Sequence, residues 1–266
     1  MSSLNESTSH DGLQSDFLIV SDLHVGAIDQ PNKTVGNTLE EIATYASKHN
    51  LHLVIAGDLF DWWMDYPSER PLSHYGFLEH WKDLIHKGLK ITLIPGNHDY
   101  WIQKPVLEGM NIERESMTLE TVFGPVFVFH GDGFTDPSMR LKKPLLHHVL
   151  QNPWFISLYQ TLFPPHIGWK LMARFSAYKR SSKTSKERLD NWAEVMMPTL
   201  DAVVAVCGHD HEYRTRKLGE KWYVNLGLFE KDYVALQYKN ETLSLVTMQN
   251  PRQESWVDKK LLCTNS

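Results

Sequence analysis

Short apolar runs along the chain are followed at once by histidine, aspartate or asparagine. Five runs show this pattern, at residues 17–20, 52–56, 91–94, 126–129 and 202–206. Each run is bounded by turn residues, which predicts a short buried β-strand. A lone aspartate after a strand is usually a cap or a turn residue, but five such endings in sequence order indicate a functional site. In open sheets, ligands bind beyond the carboxyl ends of the strands.

The order of the predicted elements indicates an α/β fold with two packed sheets. Amphipathic stretches at 38–49 and 73–87 separate the first three strands, and this β-α-β-α-β order predicts parallel strands with right-handed crossovers. Residues 118–122 and 125–129 flank a Phe-Gly pair and predict a hairpin. Further short strands are predicted at 222–225, 233–238 and 243–248. With helices outside both sheets, the expected architecture is a four-layer α-β-β-α sandwich.

The strand pattern stops between residues 133 and 198, where three helices are predicted. Asn152-Pro153 is an N-cap with proline at the first helical position, and it opens a helix to residue 163 that is apolar nearly all round. A second helix is predicted at 167–178, and the capping box Thr184-Ser-Lys-Glu187 opens a third. Because this insertion separates two groups of metal-type residues, we expect it to cover the site as a helical cap. Its apolar helix fits either the core of the cap or a groove for acyl chains.

Three parts are expected along the 266 residues: a polar lead at 1–15, one domain at 16–248 that contains the cap insertion 133–198, and a tail at 249–266. Hydrophobic residues make up 42% of the chain, which is enough for the core of one large domain. No apolar run approaches the ~18 residues of a membrane-spanning helix, and the lead has no apolar secretion signal. Cys207 and Cys263 lie in an apolar strand and in the polar tail, so no disulfide is expected, and the cytoplasm is the expected compartment.

Positive charge is concentrated in the insertion. The chain carries a formal net charge of −5, yet residues 133–190 hold ten lysines or arginines against three acidic residues. Such a block in an acidic protein indicates a local anionic partner, and the alternative is a solvated helical face. Nucleic acid is not expected as that partner, because the block lacks stacking aromatics interleaved with its cations outside the cap. No obligate protein partner is evident.

The polar strand endings supply seven candidate metal ligands. They are Asp22, His24, Asp58, Asn97, His130, His209 and His211. Carboxylate, imidazole and amide oxygen together suit divalent ions of intermediate hardness, and we expect Mn²⁺, with Fe²⁺, Zn²⁺ or Co²⁺ as alternatives. Seven ligands exceed the need of one ion, so two ions that share the carboxylate of Asp58 are expected. Paired ions about 3.5–4 Å apart can hold a hydroxide and clamp a phosphoryl group.

The five strand endings resemble the five motifs of the calcineurin-like metallophosphoesterases, in the same order. In this chain the motifs are Asp22-x-His24, Gly57-Asp58-x-x-Asp61, Gly96-Asn97-His98-Asp99, His130-Gly-Asp132 and Gly208-His209-x-His211. The resemblance implies a metallophosphoesterase sandwich in which the first ion is held by Asp22, His24, Asp58 and His211. It implies a second ion held by Asp58, Asn97, His130 and His209. It also implies that His98 is the acid or a stabiliser of transition-state charge, with Asp99 as its orienting partner.

Within this superfamily the chain is similar to the UDP-2,3-diacylglucosamine hydrolases of lipid A synthesis. The similarity is carried by Gly57-Asp58-Leu-Phe-Asp61-Trp62, by the basic insertion and by Asn152-Pro-Trp154. It implies cleavage of UDP-2,3-diacylglucosamine to UMP and 2,3-diacylglucosamine 1-phosphate (lipid X) by a metal-bridged hydroxide. The implied location is the cytoplasm, with peripheral contact to the anionic surface of the inner membrane. The implied substrate-binding residues are Asn97, His98, Asp136, Lys183, Lys186 and His209.

Two departures from that group leave the substrate open. Many of its members have arginine where this chain has His98, and threonine is usual where it has Asp210. The alternative is a soluble metallophosphodiesterase or phosphatase that acts on nucleotides or other phosphoesters and needs no apolar groove. A non-catalytic scaffold with the same fold is a third hypothesis, but such a protein is expected to have lost ligands, and none of the seven is missing.

Overall fold

The computed structural model describes residues 15–27, 32–132, 152–180, 186–250 and 255–264. Within these ranges, two β-sheets lie face to face with helices on both outer sides. The strands are β1 (Phe17–Val20), β2 (His52–Ile55), β3 (Ile91–Leu93), β4 (Asn111–Ile112), β5 (Ser116–Leu119), β6 (Val126–Phe129), β7 (Val204–Cys207), β8 (Arg214–Leu218), β9 (Lys221–Asn225), β10 (Val234–Lys239), β11 (Thr242–Asn250) and β12 (Ser255–Thr264). The helices are α1 (Asn32–Lys48), α2 (Phe77–His86), α3 (Pro153–Leu162), α4 (Pro165–Arg180), α5 (Lys186–Met196) and α6 (Phe229–Asp232).

The first sheet has the strand order β12-β11-β10-β1-β2-β3-β4 among the described residues. Strands β1 to β4 run parallel, and β10 joins β1 in the antiparallel sense, so the expected β-α-β-α-β start of the chain is confirmed. Val20 lies opposite Ile55, and Ile55 lies opposite Leu93, so the three strands end level with one another. Their carboxyl ends therefore meet at one edge of the sheet. The helix expected at 73–87 begins later, at Phe77, after a 3₁₀ turn at Pro71–His74.

The second sheet has the order β5-β6-β7-β9-β8 over the same described ranges. Strands β6, β7 and β9 are parallel, and β5 and β6 form the predicted antiparallel hairpin. Strand β8 was not predicted, because its sequence, Arg-Thr-Arg-Lys-Leu, lacks the alternation of apolar and polar residues that indicates a half-buried strand. The carboxyl ends of β6 and β7 lie at one edge, which places the loops after them next to each other.

The core lies between the two sheets. Ile19 and Val54 from the first sheet and Val128 and Val206 from the second are fully buried there. Helices α1 and α2 cover the outer face of the first sheet, where the indole of Trp81 is completely buried. These valines and isoleucines are residues that pack well on a pleated surface. Together with helix α5 on the outer face of the second sheet, helices α1 and α2 confirm the four-layer α-β-β-α architecture.

Helix α5 forms the fourth layer. Leu189 and Trp192 are buried against Phe129 and Tyr223 on the outer face of the second sheet. This helix was expected in the cap, but its apolar stripe packs on the body of the sandwich. The stretch 249–266 was expected as a tail, yet it contains β12, which pairs antiparallel with β11. The two differences have separate causes. For α5, an apolar stripe shows that a face is buried but not which surface buries it. For β12, charged residues interrupt the apolar pattern that predicts a strand.

Helices α3 and α4 pack on the loop that follows β2. The indole of Trp169 donates to the carbonyl of Met64 at 3.0 Å, and Gln160 donates to the carbonyl of Asp65 at 2.7 Å. Trp62 and Trp101 belong to the buried cluster under α4. Residues 133–151 and 181–185 of the expected cap lie outside the described residues. In the part of the chain that the structure describes, no helix is long and apolar enough to cross a bilayer.

Candidate metal centre

The loops at the shared edge of the two sheets turn sharply as they leave the strands. Asp22, His24, Asp58, His209 and His211 have φ values of 50°, 45°, 50°, 75° and 60°. Residues other than glycine rarely adopt this left-handed conformation, and they retain it only where the surrounding structure imposes it. Five candidate ligands therefore have their backbone direction set by the fold.

Two glycines let the backbone approach the ligands closely. A Cβ atom at Gly96 would overlap with a carboxylate oxygen of Asp58, and one at Gly208 would overlap with a carboxylate oxygen of Asp22. Neither glycine is among those with positive φ. Their role is thus to leave space for the carboxylates rather than to permit an unusual turn.

Four of the candidate ligands form a first group. The ligand atoms of Asp22, His24, Asp58 and His211 all lie within 4.8 Å of one another. His24 Nε2 is 2.9 Å from His211 Nε2 and 3.6 Å from Asp58 Oδ2, and His211 Nε2 is 3.3 Å from Asp22 Oδ1. Asp22, His24 and Asp58 are buried, whereas the side chain of His211 is 25% exposed. Two carboxylates and two imidazoles so close together fit a divalent cation.

A second group forms around Asn97. His209 Nδ1 is 2.7 Å from Asn97 Oδ1, and His130 Nε2 is 3.1 Å from the same oxygen. His130 Nε2 is also 3.4 Å from Asp58 Oδ2. The structure therefore brings all seven predicted ligands together, with Asp58 in contact with both groups.

The surroundings of Asp58 test whether these residues suit a metal ion. Its Oδ1 accepts a hydrogen bond from the backbone N–H of His98 at 2.9 Å. Its Oδ2 is buried and has no hydrogen-bond donor among the described residues, although the ring nitrogens of His24 and His130 lie nearby. A buried carboxylate oxygen is costly unless a donor or a cation compensates for it. The donor set therefore fits a centre for divalent cations.

The electric field of the carboxylates acts on the imidazoles. Burial alone would lower the pKa of His24, but the neighbouring carboxylates of Asp22 and Asp61 raise it to about 10. Burial likewise opposes the shift at His130, whose pKa is raised well above its ordinary value mainly by Asp58. The same negative field attracts a divalent cation, which competes with protons for these nitrogens.

Buried partners orient the ligands from behind. His24 Nδ1 lies 3.3 Å from Asp61 Oδ1, which leaves His24 Nε2 directed at the ligand group. The hydroxyl oxygen of Ser21 lies 2.6 Å from Asp22 Oδ2 and 2.8 Å from the carbonyl oxygen of Ala56, so its single proton is shared between these two acceptors. Such outer partners fix the ring orientation and the basicity of metal ligands. Asp61 stands in the second sequence motif, but no role was predicted for it.

The loop that carries His209 and His211 is held by Asp210. Arg214 donates to both oxygens of Asp210, at 3.0 and 2.7 Å, and Asn225 donates to Oδ1 at 2.9 Å. Arg214 also donates to Asp190 on α5 at 2.6 Å. Asp210 thus anchors the ligand loop to the second sheet and its helix.

The catalytic candidate His98 has other partners than expected. Its Nδ1 lies 3.1 Å from the carbonyl oxygen of Asp61 and 2.6 Å from the hydroxyl of Ser176. The two oxygens of Asp99 instead accept from the backbone N–H groups of Gly96 at 2.7 Å and Phe60 at 3.2 Å. The predicted orienting contact between Asp99 and His98 is therefore wrong, because Asp99 holds two loops in place.

Burial decides the ionisation of these two residues. It lowers the pKa of His98, a shift that the charge of Asp58 only partly opposes. It also raises the pKa of Asp99 to about 7, with a further contribution from the charge of Asp58.

The remaining substrate-binding candidates are only partly described. Asn97 and His209 touch each other at the second ligand group, and His98 follows directly on the same loop. Asp136 and Lys183 lie outside the described residues. Lys186 is the first residue of α5, and its side chain is outside the described part. Ser176 had no sequence signal, since it is an isolated serine in a helix of the insertion.

Comparisons with known proteins agree with this centre. The family model described as Calcineurin-like phosphoesterase matches residues 15–213, which include all seven candidate ligands. A UDP-2,3-diacylglucosamine hydrolase of Escherichia coli is 28% identical over 173 residues, covering 64% of this chain and 68% of that protein. A protein of the same name from Porphyromonas gingivalis is 23% identical over 180 residues, covering 66% and 67%.

Among solved structures, Vacuolar Protein Sorting 29 from Cryptosporidium parvum covers 91% of this chain and 94% of its own, with 15% identity and a TM-score of 0.43. The family match spans most of the chain and contains the ligand groups described above. The chain therefore belongs to the calcineurin-like phosphoesterase family, and it is a metallophosphoesterase.

Proposed function

We propose that this metallophosphoesterase hydrolyses the pyrophosphate bond of UDP-2,3-diacylglucosamine, releasing UMP and 2,3-diacylglucosamine 1-phosphate. Its relatives from Escherichia coli and Porphyromonas gingivalis carry the name of that activity. The observation that carries the proposal is the position of α4. Ser176 of this helix contacts His98 beside the candidate centre. The apolar side chains of Leu171 and Phe175 on the same helix are exposed.

Two ions are proposed, bridged by Asp58, with Mn²⁺ as the expected metal. The support is the division of the seven ligands into two groups that share Asp58. When bound, such ions supply a Lewis acid for the phosphoryl oxygens and lower the pKa of water so that it attacks at neutral pH.

His98 lies beside the candidate metal ligands. The backbone N–H of His98 donates to Asp58 Oδ1 at 2.9 Å, and the centroid of its ring lies 4.7 Å from that of His24, so the ring lies at the margin of the centre. We assign to His98 the protonation of the departing phosphate oxygen or the stabilisation of charge on it. Asn97, His209, Asp136, Lys183 and Lys186 remain the proposed contacts to the rest of the substrate.

The apolar surface of the insertion suits the two acyl chains. On α3, Trp154, Leu158 and Leu162 are 86%, 57% and 62% exposed and recur every four residues, so they share one face. On α4, Leu171 and Phe175 show the same spacing. Burial of each methylene group is worth ~0.8 kcal/mol, so even a few per acyl chain would dominate substrate affinity. A soluble nucleotide or phosphoprotein would gain nothing from such a surface.

Peripheral contact with the cytoplasmic face of an anionic membrane is part of the same proposal. Lys170 and Arg174 are exposed on α4 beside Leu171 and Phe175, an arrangement in which the apolar groups insert and the cations meet lipid phosphates. Each cation near an anionic surface is worth about 1 kcal/mol, and salt screens that attraction. We expect co-sedimentation with phosphatidylglycerol-containing vesicles at low salt that weakens at high salt. Failure to bind at both salt concentrations would contradict the membrane contact.

The substrate proposal is tested by comparing three compounds: UDP-2,3-diacylglucosamine, UDP-N-acetylglucosamine and bis(4-nitrophenyl) phosphate. We expect a strong preference for the acylated compound, with UMP as a product. Leu158→Ser should lower kcat/KM for the acylated compound about tenfold, the effect of losing one buried leucine side chain, without affecting the aryl diester. Val195→Ser is the matched control, because Val195 is equally exposed at 55% but lies on α5. Equal or faster turnover of the unacylated compounds would favour the soluble phosphodiesterase instead.

A further inference from the structure

Ser176 joins the helical insertion to the candidate catalytic histidine. It lies on α4, is only 6% exposed, and its hydroxyl donates to the carbonyl oxygen of Asp61 at 2.6 Å. The same hydroxyl oxygen is 2.6 Å from Nδ1 of His98, and the carbonyl oxygen of Asp61 is 3.1 Å from that nitrogen. Three polar atoms thus form a buried triangle beside the metal ligands.

The number of protons in this triangle determines the state of the histidine ring. The carbonyl oxygen of Asp61 can only accept, and the hydroxyl of Ser176 has a single proton to donate. If that proton goes to the carbonyl, Nδ1 of His98 must carry a proton of its own, because otherwise two lone pairs would face each other at hydrogen-bond distance. With Nδ1–H donating to Ser176 Oγ, and secondarily to the carbonyl, all three contacts are satisfied.

We infer that Ser176 is a positioning residue that holds a proton on Nδ1 of His98, so that Nε2 is the ring nitrogen that faces the phosphoester, takes up the second proton and delivers it to the departing oxygen. The contact that Asp99 was expected to make is made by a residue of α4. The inference rests on the proposed role of His98 and not on the identity of the substrate. Through Ser176, helix α4, which carries Leu171 and Phe175, contacts the imidazole ring of His98.

The test uses the full-length, Zn²⁺-loaded protein with ¹⁵N-labelled histidine, since Zn²⁺ is diamagnetic. The ring signals of His98 are identified by comparison with His98→Gln. In the wild-type protein we expect the proton on Nδ1. In Ser176→Ala the shortest acceptor of the Nδ1 proton is lost, and only the longer contacts to the carbonyl and carboxylate oxygens of Asp61 remain, at 3.1 and 3.7 Å. We therefore expect the tautomer with the proton on Nε2 to appear beside the wild-type one, whereas Ser176→Thr keeps the hydroxyl and should keep the wild-type spectrum.

Kinetics with bis(4-nitrophenyl) phosphate supply the second measurement. Ser176→Ala should lower kcat about tenfold, the effect of one lost hydrogen bond, with KM and bound Zn²⁺ unchanged. Ser176→Thr should restore most of kcat. Thr161→Ala is the matched control, because the Thr161 hydroxyl likewise donates to a backbone carbonyl, that of Ser157 in its own helix, but on the exposed part of α3.

Three results would overturn the inference: a wild-type proton on Nε2, an unchanged spectrum and kcat in Ser176→Ala, or loss of Zn²⁺ from that variant. The first of these results is measured on the wild-type protein, so the inference can still be tested if Ser176→Ala does not fold. A failure to cleave UDP-2,3-diacylglucosamine would refute the proposed substrate but would leave the spectrum and the aryl diester kinetics unaffected.

Discussion

Replacement of Arg214 by methionine removes the cation that neutralises the carboxylate between the two histidines of the last motif. Arg214 donates to both oxygens of Asp210, and the side chain of Asp210 is completely buried. Methionine keeps most of the volume of the side chain but offers no charge and no donor. Asp210 then retains Asn225 and the backbone N–H of Glu212 as donors, at 2.9 and 3.1 Å.

The size of the effect follows from burial. Removing one partner of a buried ion pair costs about 3–5 kcal/mol, because the other charge stays buried without compensation. Arg214 is 16% exposed, and two donors to Asp210 remain, so we expect about 3 kcal/mol of lost folding stability, at the lower end of that range. Because Asp210 lies between His209 and His211, the ligand loop should loosen, and metal affinity should fall about 10- to 100-fold, as is usual for outer partners of metal ligands.

The assay combines urea unfolding with calorimetric titration of the chelator-treated protein by Mn²⁺. Arg216→Met is the matched control, since Arg216 lies two residues further along β8 and is 32% exposed. Its contacts to Asp190 and Glu194 are two surface ion pairs, for each of which about 0–1 kcal/mol is expected. The double variant Asp210→Asn/Arg214→Met removes the uncompensated charge and should recover part of the stability.

Equal destabilisation by Arg214→Met and Arg216→Met would refute this reasoning. So would a metal affinity that does not change when Arg214 is replaced, because the link between Asp210 and the ligand loop would then have no energetic consequence.

Three further predictions concern the centre and the sheet beneath it. Asp58→Ala should lose most bound metal and activity, measured by elemental analysis and turnover, and full activity in that variant would exclude the shared-ligand arrangement. His98→Ala should keep its metal but lower kcat by roughly 10²–10⁴, and loss of metal would instead make His98 a ligand. Burial, with a smaller contribution from Lys90, lowers the pKa of His52 to about 4, so between pH 6.5 and 4 the unfolded chain binds a proton that the folded chain rejects, and stability falls as pH decreases. His52→Gln should therefore lose about 2 kcal/mol less than the wild-type protein between pH 6.5 and 4.5 in urea unfolding, and parallel profiles would contradict this assignment.

The sequence by itself determined the strands and the order in which their ends carry chemistry. Continuous apolar runs at 17–20, 52–56 and 91–94 with helices between them are typical of a parallel sheet buried on both faces. Once those strands lie in register, Asp22, Asp58 and Asn97 must meet at one edge. The grouping of candidate ligands follows for that reason from local pattern and the rules of parallel sheets.

Local pattern could not determine which distant surfaces meet. The apolar stripe of α5 fits a cap or a sheet equally well, and the tertiary structure places it on Phe129 and Tyr223. Strands β8 and β12 were not predicted because they contain several charged residues and no long apolar run. Both are edge strands, which are stabilised by backbone pairing with a neighbouring strand.

Only the tertiary structure decided what surrounds His98. Asp99 adjoins it in sequence, yet its carboxylate binds backbone N–H groups, while Ser176 reaches the ring from 78 residues away. Such a contact depends on how α4 docks on the loop after β2, which involves Trp169 and Met64 as much as the residues that react. Sequence periodicity specifies which face of a helix is buried, but the partner of one buried hydroxyl depends on the packing of the whole interface.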